Sequence, residues 1–319
     1  MKPLRIAVVG AGHMGTFHAQ KVCTLAAREG SFELRGVADL LPGRAAAASV
    51  GPRARPVTDF RELLPEIEAA IVAVPTVDHF AVVEALLQAR IDVLVEKPIA
   101  ATLAEAEKLI TLARERGCIL QVGHLERFNA AIRTVSSAIH KPRFIEAHRL
   151  SPFPGRATDV DVVRDLMIHD LDLLQRLVEE VPSQVEAIGV PVVTRRVDIA
   201  NARLCFPGGC VANVTASRVT PTPMRKIRLF QADGYFSIDL LEQEVTIAER
   251  GLAEPGGERQ VELRRLSIDP DDALLQQLRA FGRACARRRV EAADGDDGLA
   301  ALRLALRVIE AMPPLEGLP

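Results

Sequence analysis

The chain carries no excess charge of either sign: 40 basic and 42 acidic residues are mixed along its 319 positions, for a formal net charge of -2. That balance excludes a long-range pull toward nucleic acid or a membrane surface, because steering of such partners needs clustered charge of one sign. Long apolar runs are missing too. None approaches the roughly 18 residues that a membrane-crossing helix requires. The first residues do not combine a charged region, an apolar stretch and a small-residue cleavage site, so a soluble, cytoplasmic protein is expected. The five cysteines, Cys23, Cys118, Cys205, Cys210 and Cys285, are scattered and odd in number. Without metal-ligand spacing they read as buried thiols in a reducing compartment, and no metal site or disulfide is expected. Internal repeats and low-complexity segments are absent, which leaves a globular chain of about two domains with ample apolar content for both cores.

What is present begins at Arg5-Ile-Ala-Val-Val-Gly-Ala-Gly-His-Met-Gly15, an apolar run that ends in a glycine turn and passes into helix-like sequence. Gly10 suits the tight turn, Gly12 a close approach of backbone to phosphate, and Gly15 close packing of helix on strand. Apolar runs and helical stretches then alternate: strands at Phe32 to Ala38, Val57, Ala69 to Val74, Asp92 to Val95 and Ile119 to Val122, helices at Thr16 to Arg28, Arg44 to Ser49, Asp59 to Leu64, Asp78 to Ala89 and from Thr102 to Arg116. Repeated βα units predict a doubly wound parallel sheet, a Rossmann domain over residues 1–122, with ligands at the carboxyl ends of its strands. The polar residues just past those ends are Asp39, Thr76, Lys97 and His124. Asp39 is placed to accept hydrogen bonds from ribose hydroxyls and to repel a 2′-phosphate, which favours NAD over NADP, while Arg44 nearby pulls the other way. Lys97, between an apolar strand and Pro98, reads either as a partly desolvated hydrogen-bonding or proton-transfer group or as a solvated loop lysine.

From Gly123 the pattern changes. One helix is expected over Leu125 to Ile139, a strand over Phe144 to Leu150, and a second helix over Asp159 to Glu179, followed by strands at Val185 to Val193, Asp198 to Phe206, Val211 to Val219, Lys226 to Ala232, Tyr235 to Leu240, Glu244 to Ala248 and Val261 to Leu266. Their alternation and intervening turns predict a mostly antiparallel sheet, closed by helices Asp271 to Arg288 and Asp297 to Ala311, in an α+β domain over residues 123–319. On the second helix Asp161, Asp165, His169 and Asp172 form a polar stripe opposite Met167, Leu171, Leu174 and Val178. Asp165 and His169 are four apart, so the carboxylate can orient the imidazole and favour its protonated form. A solvated helix face is the alternative reading. Arg127, Arg149 and Arg156 have guanidinium forks that match phosphate oxygens, or else serve surface solubility.

Gly10-Ala-Gly-His-Met-Gly15, Ala73-Val-Pro-Thr76, Glu96-Lys-Pro98 and Asp165-x-x-x-His169-x-x-Asp172 together resemble the glucose-fructose oxidoreductase and inositol dehydrogenase family (Gfo/Idh/MocA), over essentially the whole chain. The resemblance implies an N-terminal Rossmann domain, a C-terminal domain with an open-faced sheet, and a bound nicotinamide cofactor. It places Lys97, Asp165 and His169 around the reacting carbon as catalytic residues. Cofactor contacts are then expected from Gly10, Gly12, His13, Met14, Gly15, Asp39, Arg44, Val74, Pro75, Thr76, His79, Glu96 and Lys97. Substrate contacts are expected from Lys97, His124, Arg127, Arg149, Arg156, Asp165 and His169. Many members carry a Gly-Gly run before the aspartate and a glycine two residues after it, where this chain has Asp161-Val-Val-Arg164 and Met167. Val122-Gly-His-Leu-Glu-Arg-Phe-Asn129, Ser151-Pro-Phe-Pro-Gly-Arg156 and Pro223-Met-Arg-Lys-Ile227 are similar to the subgroup that oxidises a UDP-sugar, UDP-N-acetylglucosamine at its 3-hydroxyl, to supply an amino sugar for lipid A. A free polyol or inositol substrate, or a non-catalytic NAD-binding sensor, are the rival expectations. An open antiparallel sheet has a face to cover, so a homodimer or homotetramer is expected.

Overall fold

The computed structural model describes residues 2–153, 160–250, 261–269 and 271–314. It divides into two compact units, Met1–Leu125 with Asp272–Ala300, and Glu126–Asp271 with Ala301–Pro319.

The first unit alternates strand and helix: β1 (Leu4–Val9), α1 (His13–Glu29), β2 (Phe32–Ala38), α2 (Pro42–Ala48), β3 (Arg55–Val57), β4 (Ala69–Val72), α3 (Thr76–Gln88), β5 (Asp92–Val95), α4 (Leu103–Arg116) and β6 (Leu120–Val122). The strands form one parallel sheet in the order β3-β2-β1-β4-β5-β6. The order reverses between β1 and β4, the point at which open α/β sheets take their ligands. Every residue of β4 and β5 is buried, as expected of strands covered on both faces; Asp92, which opens β5, is met by Arg288. Thr102 and Glu105 form the expected capping box at the start of α4, each side chain accepting from the other's backbone N–H.

The second unit opens with a 3₁₀ turn at Leu125–Phe128, then α5 (Ala130–Val135), β7 (Phe144–Leu150), a π turn at Val163–Met167 that runs into α6 (Ile168–Val178), and seven further strands. These are β8 (Gln184–Val190), β9 (Ile199–Cys205), β10 (Val211–Ser217), β11 (Met224–Phe230), β12 (Gly234–Asp239), β13 (Glu244–Arg250) and β14 (Val261–Leu266). The sheet runs β14-β13-β12-β11-β7-β10-β9-β8 and is antiparallel except where β7 pairs with β10. One face, including Ile145, Ala147, Ala202, Leu204, Val214, Ile227 and Leu229, belongs to the core with α6. The other carries Glu146, His148, Asn201, Arg203 and Thr215 and is half-buried or exposed.

Two expectations need correction. The single helix expected over residues 125–139 is broken, because Asn129 is extended and caps α5 instead of continuing a helix: its Oδ1 accepts from the Ala131 N–H at 3.0 Å and its amide donates to the Leu240 carbonyl at 2.9 Å. The boundary expected at residue 122 also misses a return of the chain. Helix α7 (Ala273–Arg287) puts Leu275, Leu278, Phe281 and Ala284 into the same core as Ile6, Val8 and Leu25, and Arg279 pairs with Glu29 across 250 sequence positions. Helix α8 (Gly295–Glu310) begins in the first unit and ends in the second, where Leu304, Ala305 and Val308 join the other core.

The glycine turn is the tightest point of the first unit. A Cβ on Gly15 would lie 1.7 Å from the Gly10 carbonyl oxygen. Gly15→Ala is therefore expected to displace the turn, lowering stability by about 1–3 kcal/mol or more as overpacking does. Thermal unfolding of the variant beside the parent protein checks it.

Candidate functional site

At the carboxyl edge of the first unit's sheet the three glycines do three separate things. Gly10 adopts φ +94, and a Cβ there would sit 2.6 Å from the Ala73 carbonyl carbon, so the turn passes against the chain leaving β4. Gly15 allows α1 to press on that turn, as above. Beside Gly12 nothing stands within 4 Å of the Cβ position, so the backbone is open on that side. Gly12 is also the N-cap of α1 and supplies no side-chain cap, and the first turn of α1 has no acidic residue. An uncapped helix start beside open space is suited to an anion such as a dinucleotide pyrophosphate. His13 is exposed, with its ring edge-on to Phe17 at 4.6 Å, and Met14 is half-buried.

Asp39, just past β2, is tied into the same turn. Its Oδ2 accepts from the Ala11 N–H at 2.8 Å and its Oδ1 from the Leu41 N–H at 2.9 Å. Each carboxylate oxygen has a second lone pair, so the group stays able to accept from ribose hydroxyls while its position is fixed. Arg44 is exposed on α2. The residues present thus fit a nicotinamide dinucleotide.

Further along the edge, Glu96 and Lys97 leave β5. The Glu96 carboxylate lies 2.7 Å from Nε2 of His18, which is wholly buried on α1. Burial alone would raise the Glu96 pKa, but the His18 imidazole, then Lys97 and His79, hold it below the usual carboxylate range. Lys97 itself is half-buried. His79, expected among the cofactor contacts, is 1% exposed and faces two carbonyls, Pro98 at 2.8 Å from Nδ1 and Val74 at 3.0 Å from Nε2. It ties the Glu-Lys-Pro turn to the loop before α3, which starts at Thr76 with Pro75 as its N-cap. Burial pushes its pKa down. His124, expected to contact substrate, is 1% exposed at the end of β6.

In the second unit Asp165 lies in the π turn and His169 follows one turn later on α6, both half-buried. The polar stripe expected there does not form as a solvated face. Asp161 caps the turn, accepting from the Arg164 N–H at 2.9 Å, and Asp172 is 1% exposed. Two of the three arginines offered for phosphate, Arg127 and Arg149, are held by carboxylates. Arg127 donates from Nε and Nη2 to Asp172 at 2.8 and 2.7 Å. Arg149 donates from Nε and Nη2 to Asp170 at 2.8 and 2.9 Å and from Nη1 to Glu126 at 2.8 Å. Burial opposes the Arg149 charge, but Asp170 and Glu126 outweigh it and raise its pKa. Both arginines are buried, 8% exposed at Arg127 and 3% at Arg149. Arg156 lies outside the described residues.

The approach to the π turn is secured by a third buried pair. Asp198 and Arg218 are both 0% exposed, with Arg218 Nε 2.9 Å from Asp198 Oδ1. Arg218 Nη1 also donates to the Val160 carbonyl at 2.8 Å, and Asp198 Oδ2 accepts from the N–H groups of Val192, Val193 and Thr194.

Residues 4–124 match the oxidoreductase family with an NAD-binding Rossmann fold, and residues 131–237 match the GFO/IDH/MocA C-terminal domain. The chain belongs to the Gfo/Idh/MocA family of oxidoreductases. Among relatives, the UDP-N-acetylglucosamine 3-dehydrogenase of Acidithiobacillus ferrooxidans is 39% identical over 96% of both chains. A crystal form of that enzyme superposes with a TM-score of 0.89 over 98% of both chains at 39% identity. An inositol 2-dehydrogenase of Acidothermus cellulolyticus is 29% identical over 59% of this chain and 57% of its own. A scyllo-inositol dehydrogenase of Lactobacillus casei with NAD(H) and scyllo-inositol shares the fold, with a TM-score of 0.80 at 20% identity over 98% of this chain and 97% of its own.

Within this Gfo/Idh/MocA chain, sequence reasoning missed His18, Glu126, Asp170, Asp198 and Arg218. His18 had a signal: it falls on the buried stripe Gly15, His18, Ala19, Val22 and Leu25 of α1, where a histidine needs a partner. Asp198 and Arg218 had none, since their pairing follows only from strand register. Asp198 supplies a test of the second unit. Burial would raise its pKa, yet the N–H donors of residues 192–194 and the Thr194 hydroxyl hold it far below the carboxylate range. A depressed folded-state pKa gives stability that is complete above the unfolded value near 3.9 and is lost as pH falls below it. Asp198→Asn should cost about 3–5 kcal/mol at pH 7, as breaking a buried pair does. Urea unfolding from pH 7 to pH 3 should also show a shallower acid limb than the parent protein.

Proposed function

We propose that the protein oxidises the 3-hydroxyl of UDP-N-acetylglucosamine to a ketone with NAD. The observation that carries this reading is the 39% identity to a UDP-N-acetylglucosamine 3-dehydrogenase over 96% of both chains. Supporting it, the glycine turn is open at Gly12 where phosphates approach, and Asp39 is held by two backbone N–H groups in a position that favours a free ribose 2′-hydroxyl over a 2′-phosphate. When bound, the nicotinamide ring would supply the hydride acceptor. His169 takes the proton of the hydroxyl, Lys97 donates a hydrogen bond to the oxygen as charge develops on it, and Asp165 orients the imidazole. Arg156, one of the three arginines expected to meet phosphate, is proposed for the substrate pyrophosphate. The keto sugar is what an amino-group transfer would convert into the amino sugar of lipid A, in the cytoplasm. Among the described residues no helix is long and apolar enough to cross a membrane.

His169→Ala should lower kcat by about 10²- to 10⁴-fold, the usual worth of a positioned general base, with NAD affinity retained. Near-normal turnover would contradict the role. Reduced-nicotinamide absorbance across UDP-sugars, free sugars and inositols, each with NAD and NADP, should single out UDP-N-acetylglucosamine with NAD. A preference for an inositol would favour the alternative that the 29% identical inositol 2-dehydrogenase represents.

The open sheet face supports self-association as a dimer or tetramer. Leu263, Ala248, Tyr235, Phe230, Phe144 and Val211 stand in register across β14, β13, β12, β11, β7 and β10. Phe230 touches both Tyr235 and Phe144, with centroids at 4.7 and 5.8 Å, and Leu263 is 74% exposed. An apolar row of this kind across an exposed sheet suits a second copy of the same face. Light scattering at micromolar concentration should give a dimer or larger; a monomer would contradict the association.

A further inference from the structure

Helix α6 has one broad apolar arc: Ile168, Leu171, Leu173, Leu174, Leu177 and Val178 belong to the core or pack against it, and at about 100° per residue they spread over roughly 220° of the axis. His169, Asp172 and the exposed Arg176 take the remaining arc. Apolar burial is non-directional, so an arc this wide sets the rotation of the helix only coarsely. What is directional is the pair of arginine forks. Asp170 and Asp172 are two residues apart, hence on nearly opposite sides of the helix, about 160° from one another. Each accepts two hydrogen bonds from one guanidinium, Asp170 from Arg149 and Asp172 from Arg127. The two anchors are joined through consecutive residues, because Glu126, next to Arg127, accepts from Arg149 at 2.8 Å. His169 lies on the arc between the two captured carboxylates. Rotation by one position would turn the imidazole by about 100°, and it is opposed from both sides by planar, bidentate bonds.

We infer that Arg127 and Arg149 are positioning residues for His169, setting the rotation of α6 through Asp172 and Asp170; the catalytic consequence rests on the reading of His169 as the base. The apolar arc sets the rotation coarsely, and the two buried forks fix it.

The test replaces Arg127 and Asp172 together by leucine, which removes both charges at similar volume, an exchange that buried ion pairs often tolerate without loss of stability. The ring resonances of the seven histidines, with that of His169 assigned by its loss in His169→Ala, report the imidazole environment independently of any substrate. The inference predicts a folded protein with unchanged NAD affinity, a shifted or broadened His169 resonance, and kcat lowered about tenfold or more with KM nearly constant, as misplacement of a catalytic group does. A folded double variant with parental kcat and an unmoved His169 resonance would overturn it, as would a loss of thermal stability alone. Should the leucine pair fail to fold, Arg127→Lys and Arg149→Lys keep the charge and lose the fork. The same resonance change is then expected, and its absence overturns the inference. If the parent protein turns over no sugar nucleotide, the proposed substrate fails while the resonance still decides the positioning role.

Discussion

The first unit depends on a close approach of backbone to backbone at the point where its sheet reverses order. Gly10 lies so near the chain leaving β4 that a Cβ would come within 2.6 Å of Ala73. Gly15 in turn brings α1 onto Gly10. This leaves the N-terminus of α1, uncapped by any side chain, at the carboxyl end of β1. Asp39 fixes the arrangement from β2 by accepting the Ala11 N–H, and His18 fixes it from α1 by meeting Glu96. The dinucleotide-binding character of the unit therefore follows from three glycines and two polar ties, with Lys97 carried on the strand end that the second tie secures.

The second unit solves a different problem. Its catalytic candidates sit on a helix embedded in apolar side chains, where burial supplies stability without direction. Carboxylates and arginines supply the direction: Asp170, Asp172 and Asp198 are each buried and each met by a guanidinium. Charges removed from water in this way contribute little net stability compared with an apolar replacement, so their use here fits a role in specifying one arrangement.

Much of this was legible in the residues. Period and punctuation located β2, β5, β7 and β14 to the residue, because each is a run of strand-forming residues with a turn signal at either end. The glycine spacing and the capping box were equally local. The failures share a cause, which is that the deciding contacts are distant in sequence. Arg127 and Arg149 looked like phosphate ligands because nothing near them in the chain announces Asp172 and Asp170. The helix α7 looked like part of the second domain because its partners, α1 and Phe32, lie some 250 residues earlier. The solvated-face alternative fails at Asp172 because a helical projection assigns polar residues to water, whereas here a buried guanidinium meets the carboxylate.

The proposed reaction is a hydride transfer from carbon 3 of a nucleotide-linked sugar. UDP-N-acetylglucosamine carrying deuterium at that carbon, incubated with the protein and NAD, tests it directly through the mass of the cofactor recovered. The account predicts one deuterium in the reduced nicotinamide and a 3-keto sugar in equal amount. Reduced cofactor without the label, or no reduction at all while inositol is oxidised, would contradict it.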